Sequence, residues 1–234
     1  MKLRQLKIFI ALRFLALVSV CAAMPLLCLL AGCSPGMIAV LGTPTSAETK
    51  ITPEYDLAQQ KDKKILVLVD QPSYLSAHPN LRYFITDTVN KLFQQRAKID
   101  PQLLIDYDKL ADFRSNTLDF SLLGPEKVGS ALGADFVLLI VVNDCHIARV
   151  GETGYFSGSL DAYAQLINSG TGEKLWPTLE QAKMVKVGFE SERRGPDAAA
   201  VRLAVAAAHC VTRYLYNCPK NQFRISDEAG RVGW

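Results

Sequence analysis

Two cysteines in this chain stand where a thiol can react. Cys33 ends an apolar amino-terminal run, and the two residues before it, Ala31 and Gly32, are small. Small side chains just upstream leave that thiol open to a modifying group. Cys28 follows Leu27 and Cys21 follows Val20, so neither has a small residue directly before it. The other thiol is Cys145 in Asp144-Cys145-His146, beside an imidazole. Successive residues of a strand point to opposite faces, so Cys145 and His146 cannot act as nucleophile and base from one extended segment. His78 lies in a proline-flanked loop and His209 on a helical stretch, neither with metal-ligand spacing. There is no phosphate loop of the Walker type and no Gly-x-Ser-x-Gly elbow. These residues point to no catalytic group, no metal and no cofactor.

Leu30-Ala31-Gly32-Cys33 resembles the lipobox of bacterial lipoproteins. The resemblance implies lipidation of Cys33, signal cleavage between Gly32 and Cys33, and a signal peptide over residues 1–32. Lys2, Arg4, Lys7 and Arg13 form a positive start, and the apolar run from Phe14 to Ala31 meets no acidic residue before Glu48. Positive residues stay inside, so the body is exported. The run also approaches the roughly 18 residues at which a spanning helix becomes possible, and membrane helices tolerate a proline such as Pro25. An uncleaved membrane helix is therefore the alternative anchor. Ser34 stands where retention signals place an acid. By resemblance this implies the periplasmic side of the outer membrane, with the extracytoplasmic face of the inner membrane as the alternative.

The net charge of +3 includes the four cations of the signal, and without them 22 basic residues face 23 acidic ones. No stretch downstream combines a basic stripe with interleaved aromatics, so nucleic acid is not an expected partner. Cys145, Cys210 and Cys218 are an odd set that makes no disulfide framework, and they read as buried free thiols, with a bond from Cys145 to Cys210 or Cys218 in an oxidising envelope as the alternative. Residues 33–62 are polar and without sustained period, and read as a tether, with a short helix from Thr52-Pro53-Glu54 through Gln60. Residues 63–218 are long enough for one α/β domain with its own core, and 219–234 form a polar tail.

Within the domain, Ile65-Leu66-Val67-Leu68-Val69 is a continuous aliphatic run that suits a strand buried on both faces. Asn80 is placed to cap a helix whose apolar face holds Leu81, Phe84, Ile85, Val89, Leu92 and Phe93. Leu103-Leu104-Ile105 after Pro101 reads as a second strand, and Asp106, Asp108, Asp112 and Asp119 as solvated loop carboxylates without calcium-loop spacing. Pro125 to Leu132 reads as a helix closed by Gly133, leading into the central strand Asp135–Val142. That alternation implies a parallel β-α-β-α-β start with right-handed crossovers. Ser159 to Ile167 then alternates, with Leu160, Ala162, Ala164 and Leu166 on one side. Asn168-Ser169-Gly170-Thr171-Gly172 makes the turn to Glu173-Lys174-Leu175-Trp176, and Val185, Val187 and Phe189 mark another strand. Gly195-Pro196-Asp197 opens a final helix to about Tyr216 with a stripe of Val201, Ala204, Val205, Ala208, Val211 and Leu215, stopped by Pro219. The expected fold is a mixed sheet with a parallel start, antiparallel hairpin strands and a carboxy-terminal helix packed on the sheet.

Leu132-Gly133-Ala134-Asp135-Phe136-Val137-Leu138 and the turn Asn168 to Trp176 resemble patterns in a group of envelope lipoproteins. The group comprises the curli-export and penicillin-binding-protein-activator lipoproteins, with a fold shared by the amino-terminal domain of the Tol-system propeller protein. The resemblance spans roughly Lys64 to Cys218 and implies that α/β fold. Curli-export proteins also give long hairpins to a membrane barrel, but the strands read here are too short and too few to assign one. The reading that results is a non-enzymatic envelope lipoprotein, joined to the membrane through Cys33, that binds a protein partner. Two alternatives stay open: a cell-wall-acting hydrolase, and a small-ligand-binding module held by an uncleaved membrane helix.

Overall fold

The computed structural model describes residues 50–72 and 78–223. Gly32, Cys33, the rest of the first 49 residues and the tail from 224 onward lie outside the described residues.

The described chain opens with β1 (Lys50–Ile51), antiparallel to a short strand near its other end, Cys218–Pro219. A 3-10 turn at Leu57–Gln59 follows, with the Asp56 carboxylate accepting from the Ala58 N–H at 3.0 Å. This turn replaces the longer helix expected from Thr52. Leu57 is fully buried, so Lys50–Gln60, read as tether, packs on the body. β2 (Ile65–Asp70) is buried on both faces, as its aliphatic run requires. It stops at Gln71-Pro72, where proline offers no N–H to continue a ladder. α1 (Leu81–Leu92) buries Leu81, Ile85, Val89 and Leu92, spaced along one helical face. Asn80 makes no side-chain cap bond, a correction to its expected role. A π-turn at Phe93–Ala97 ends the helix, and Lys98 takes a left-handed conformation with φ 59°.

The expected strand Leu103–Ile105 does not form. Pro101–Leu103 closes into a 3-10 turn capped by Asp100, and only one parallel bridge, Ile65 to Leu104, survives of the middle strand. The next stretch holds α2 (Tyr107–Asn116), so Asp108 and Asp112 lie on a helix rather than in a loop. α3 (Pro125–Ala131) begins on its proline and ends before Gly133, which has φ +71°. β3 (Phe136–Val150) and β4 (Tyr155–Asn168) form a long antiparallel hairpin. β5 (Lys174–Trp176) and β6 (Lys183–Glu192) both pair with the far side of β4. α4 (Pro196–Thr212) precedes β7 (Cys218–Pro219) and the short α5 (Lys220–Phe223). Pro219 therefore lies in a strand and does not stop the helix, which ends at Thr212.

The main sheet runs β2-β3-β4, then β5 and β6, with β2 and β3 parallel and the rest antiparallel. Ile65, Val67 and Val69 face a core shared with α1 and α4, while Leu66 and Leu68 face Leu110 of α2 and Val128 of α3. α4 packs with Ala200, Leu203, Ala204, Ala207, Ala208 and Val211 inward. Val201, expected in its buried stripe, is exposed at 38%. The true inward face is centred on the alanines, whose small side chains let the helix lie close on the sheet.

Candidate functional site

The feature that most distinguishes this sheet is the length of the β3–β4 hairpin. β2 pairs with β3 only from Phe136 to Val141, because β2 ends before Pro72. From Val142 to Val150 β3 has β4 on one side and, among the described residues, no strand on the other. The hairpin turns at Gly151 and Gly154, with φ +55° and +74°, and its shoulders expose Val150 and Tyr155. The sequence signal for this extension is faint, since the apolar run stops at Val142 and a register shift between Val142 and Asp144 interrupts alternation. That bulge inserts Asn143 and re-aims the strand beyond it. Cys145 and, in part, Ile147 consequently point into the helix-covered face, while Asp144 and His146 are exposed.

Cys145 and His146 thus sit on opposite faces. Burial, with Asp144 adding to it, pushes the Cys145 thiol up to about 11. A thiol so held is protonated at neutral pH and is no nucleophile. Cys145, Cys210 and Cys218 are all buried and unbridged. His209 is buried in α4, and its Nε2 lies 3.1 Å from the Gln222 carbonyl oxygen. Burial lowers its affinity for a proton below the usual imidazole range. His78 lends its backbone carbonyl to the Leu81 N–H and to Gln71 Nε2. Among the described residues no three His, Cys, Asp or Glu side chains gather as a metal site, and no helix is long and apolar enough to cross a membrane.

Asp135, inside the motif beginning at Leu132, is a staple of the fold. Its carboxylate accepts from the Lys64 N–H at 2.8 Å and from Lys63 Nζ at 3.2 Å. The Lys64 N–H bond leads in holding that carboxyl below the ordinary range. Its backbone carbonyl accepts from the Ser169 N–H at 2.9 Å, and Ser130 Oγ donates to the Ser169 carbonyl at 2.9 Å. The two motifs therefore tie the starts of β2 and β3 to the end of β4. A shallow cavity of about 510 Å³ opens beside them, between Tyr55, Asp135, Asn168 and Leu175.

At the same end a latch closes over the first described residues. Trp176 Nε1 donates to Glu54 Oε2 at 2.7 Å, and Lys183 pairs with Glu54 Oε1 at 3.0 Å. Lys183 also lies 4.4 Å from the centre of the Tyr214 ring, and the Glu54 N–H donates to the Tyr214 carbonyl at 2.9 Å. Glu54 had no sequence signal, because one carboxylate in a polar stretch has no period. Trp176 is level with Leu166 on β4, whereas the hairpin turn follows Val150 and leads into Tyr155 at the other end. From Tyr155 to Leu166 a strand rising roughly 3.3 Å per residue spans about 36 Å. The chain thus enters the domain at one pole and turns its longest hairpin at the opposite one.

No family model matches the chain, and no curated protein matches it in sequence. Solved structures similar to it include the lipoprotein GNA1162 from Neisseria meningitidis, at 19% identity and a TM-score of 0.40, covering 64% of this chain and 98% of that one. The PelC dodecamer from Paraburkholderia phytofirmans has 12% identity and a TM-score of 0.40, with 72% and 95% covered. The LpoB carboxy-terminal domain from Salmonella enterica has 18% identity and a TM-score of 0.32, with 56% and 92% covered. Bacterial lipoproteins are thus among the structures this chain is similar to.

Proposed function

We propose that the chain is a lipid-anchored protein of the bacterial cell envelope that binds another protein rather than catalysing a reaction. Cys33, freed by cleavage after Gly32, carries the lipid, and the outer membrane's periplasmic side is its place. The supporting observation is the polarity of the domain. The chain enters at the Glu54–Trp176 pole, and the β3–β4 hairpin, with one sheet edge open and Val150 and Tyr155 exposed, lies at the other. The hairpin pole lies away from residues 50–54 and offers its open strand edge to a partner. Exposed strand edges recruit extended segments through main-chain hydrogen bonds, which suits binding and needs no reactive side chain.

Labelling with a lipid precursor tests the anchor. Burial of acyl chains at about 0.8 kcal/mol per methylene makes a multiply acylated cysteine a far firmer hold than a single myristoyl chain. The wild type is expected to take up label and to appear as a shortened mature form, and Cys33→Ser to accumulate as unlabelled precursor. Normal processing and labelling of Cys33→Ser would overturn the anchor and return the uncleaved membrane helix.

A further inference from the structure

We propose that the open edge of β3 from Asp144 to Ala148 takes an added strand from a different protein, one whose residues there alternate basic, apolar, polar, apolar. The inference rests on the hairpin pole as a binding surface and names the chemistry of its partner. Beyond Val141, β3 has β4 as its single strand neighbour among the described residues, so its outer edge has main-chain groups to offer a further strand. Natural edges refuse such pairing with proline, lysine or a bulge. Asn143 to Val150 contains neither proline nor lysine. The bulge lies at Asn143, and the register runs unbroken from Asp144 to Val150.

Residues directly opposite each other on neighbouring strands point to the same face, so β3 dictates what each position of the added strand meets. On the exposed face one row reads Asp144, Asp161, Lys186, and Asp161 holds Lys186 at 2.9 Å. Two carboxylates thus stand beside one lysine, and Asp144, at the open end of the row, belongs to no ion pair among the described residues. An added strand extends that row by one place, where lysine or arginine is attracted and an acid repelled. Two residues on, His146 lies in a row with Ser159 and Gly188, which suits a polar side chain. The positions between turn to the helix-covered face. Cys145 is buried there and Ile147 packs against the same core, so the residues opposite them are apolar. A slip of one residue would exchange the two faces and lose both matches. The apolar side ends at Arg149, which is exposed.

Titration of the full-length protein in mild detergent with the labelled peptide Thr-Val-Lys-Val-Thr-Val-Lys-Val-Thr tests this. The peptide reads alike in both directions and so fits a parallel or an antiparallel strand, and a second peptide carries glutamate in place of both lysines. Fluorescence anisotropy at low salt is expected to show the lysine peptide bound about fivefold more tightly than the glutamate one, the size of one cross-strand charge pair. Asp144→Lys is expected to reverse that preference. Hydrogen exchange should slow at residues 143–150 on adding the lysine peptide and stay unchanged along Lys183–Glu192. Asp144 is exposed, so Asp144→Lys should keep the fold, and Asp144→Asn, expected to abolish the preference, replaces it if a urea melt shows otherwise. No binding of the lysine peptide by the wild type, equal affinity for both peptides, a preference unmoved by the folded variant, or protection of β6 alone would each overturn the proposal. In each of those cases a protein adduct from a photo-crosslinking residue in place of Tyr155 would leave the partner-binding reading standing.

Discussion

The indole N–H of Trp176 reaches Glu54 across 2.7 Å, joining residues 122 apart in the chain. Trp176 is fully buried, so its N–H has no water to fall back on. Glu54→Ala is expected to cost about 1–3 kcal/mol by leaving that donor unpaired. Trp176→Ala removes the packing as well and should cost about 3–5 kcal/mol. Urea melts of the two variants check both, and an effect of Glu54→Ala below about 0.5 kcal/mol, the range of ordinary surface changes, would show that the latch does not hold the entry segment.

Gly129 of α3 faces Ser169 and Val137, and a Cβ there would run into Ser169 Oγ and Val137 Cγ2. Gly129→Ala should therefore destabilise by roughly 1–3 kcal/mol, the usual cost of overpacking. Gly170, in the same turn region, has only Asn168 Oδ1 near the position of a Cβ, at 3.4 Å, and Gly170→Ala should be close to neutral. Thermal melts of this pair separate close packing from any general intolerance of the turn.

Acid should weaken the fold in two stages. Burial lowers the His209 imidazole below its ordinary 6.5, so the unfolded chain takes up a proton that the folded chain refuses. Stability is complete above that value and falls as pH drops below it toward the folded pKa. Side-chain and backbone hydrogen bonds from Arg194 hold the Glu192 carboxyl down from 4.5 to about 2. That stabilisation is present above 4.5 and is lost as pH falls through about 2. Denaturant midpoints measured against pH should therefore decline in the wild type just below 6.5, and His209→Gln should flatten that first decline. A first decline of equal size in His209→Gln would assign it to another group.

The Cys145 thiol, buried and pushed up to about 11, should react slowly with an aromatic disulfide reagent in the native protein and fast in urea. Cys145→Ala should cost stability as a small core deletion and leave envelope function intact. Fast native labelling of Cys145 with loss of function in a folded Cys145→Ala would favour the hydrolase alternative.

Much of the sheet was legible because burial writes itself into period. The run Ile65–Val69 has no polar break since both of its faces are covered, and the alternation of Ser159–Ile167 and Val185–Phe189 matches strands covered on one face. α2 was not legible, because Leu110 is its only fully buried residue and one residue makes no stripe. Leu103–Ile105 has the composition of a strand, yet Pro101 starts a 3-10 turn that uses its first residue. The open edge of β3 could not be read either, since being an edge depends on where β2 stops and not on any residue of β3 itself. The proposal for Cys33 rests on its sequence neighbours alone, whereas the Glu54 latch depends on a partner far along the chain.

The central claim is that the hairpin pole meets a protein partner. A photo-crosslinking residue in place of Tyr155, introduced into the full-length protein in intact cells, tests it directly. The expected result is a discrete protein adduct from Tyr155, and none from the same residue placed at Lys109 on α2. Adducts from Lys109 with none from Tyr155, in a protein shown to be folded and membrane-bound, would contradict the account.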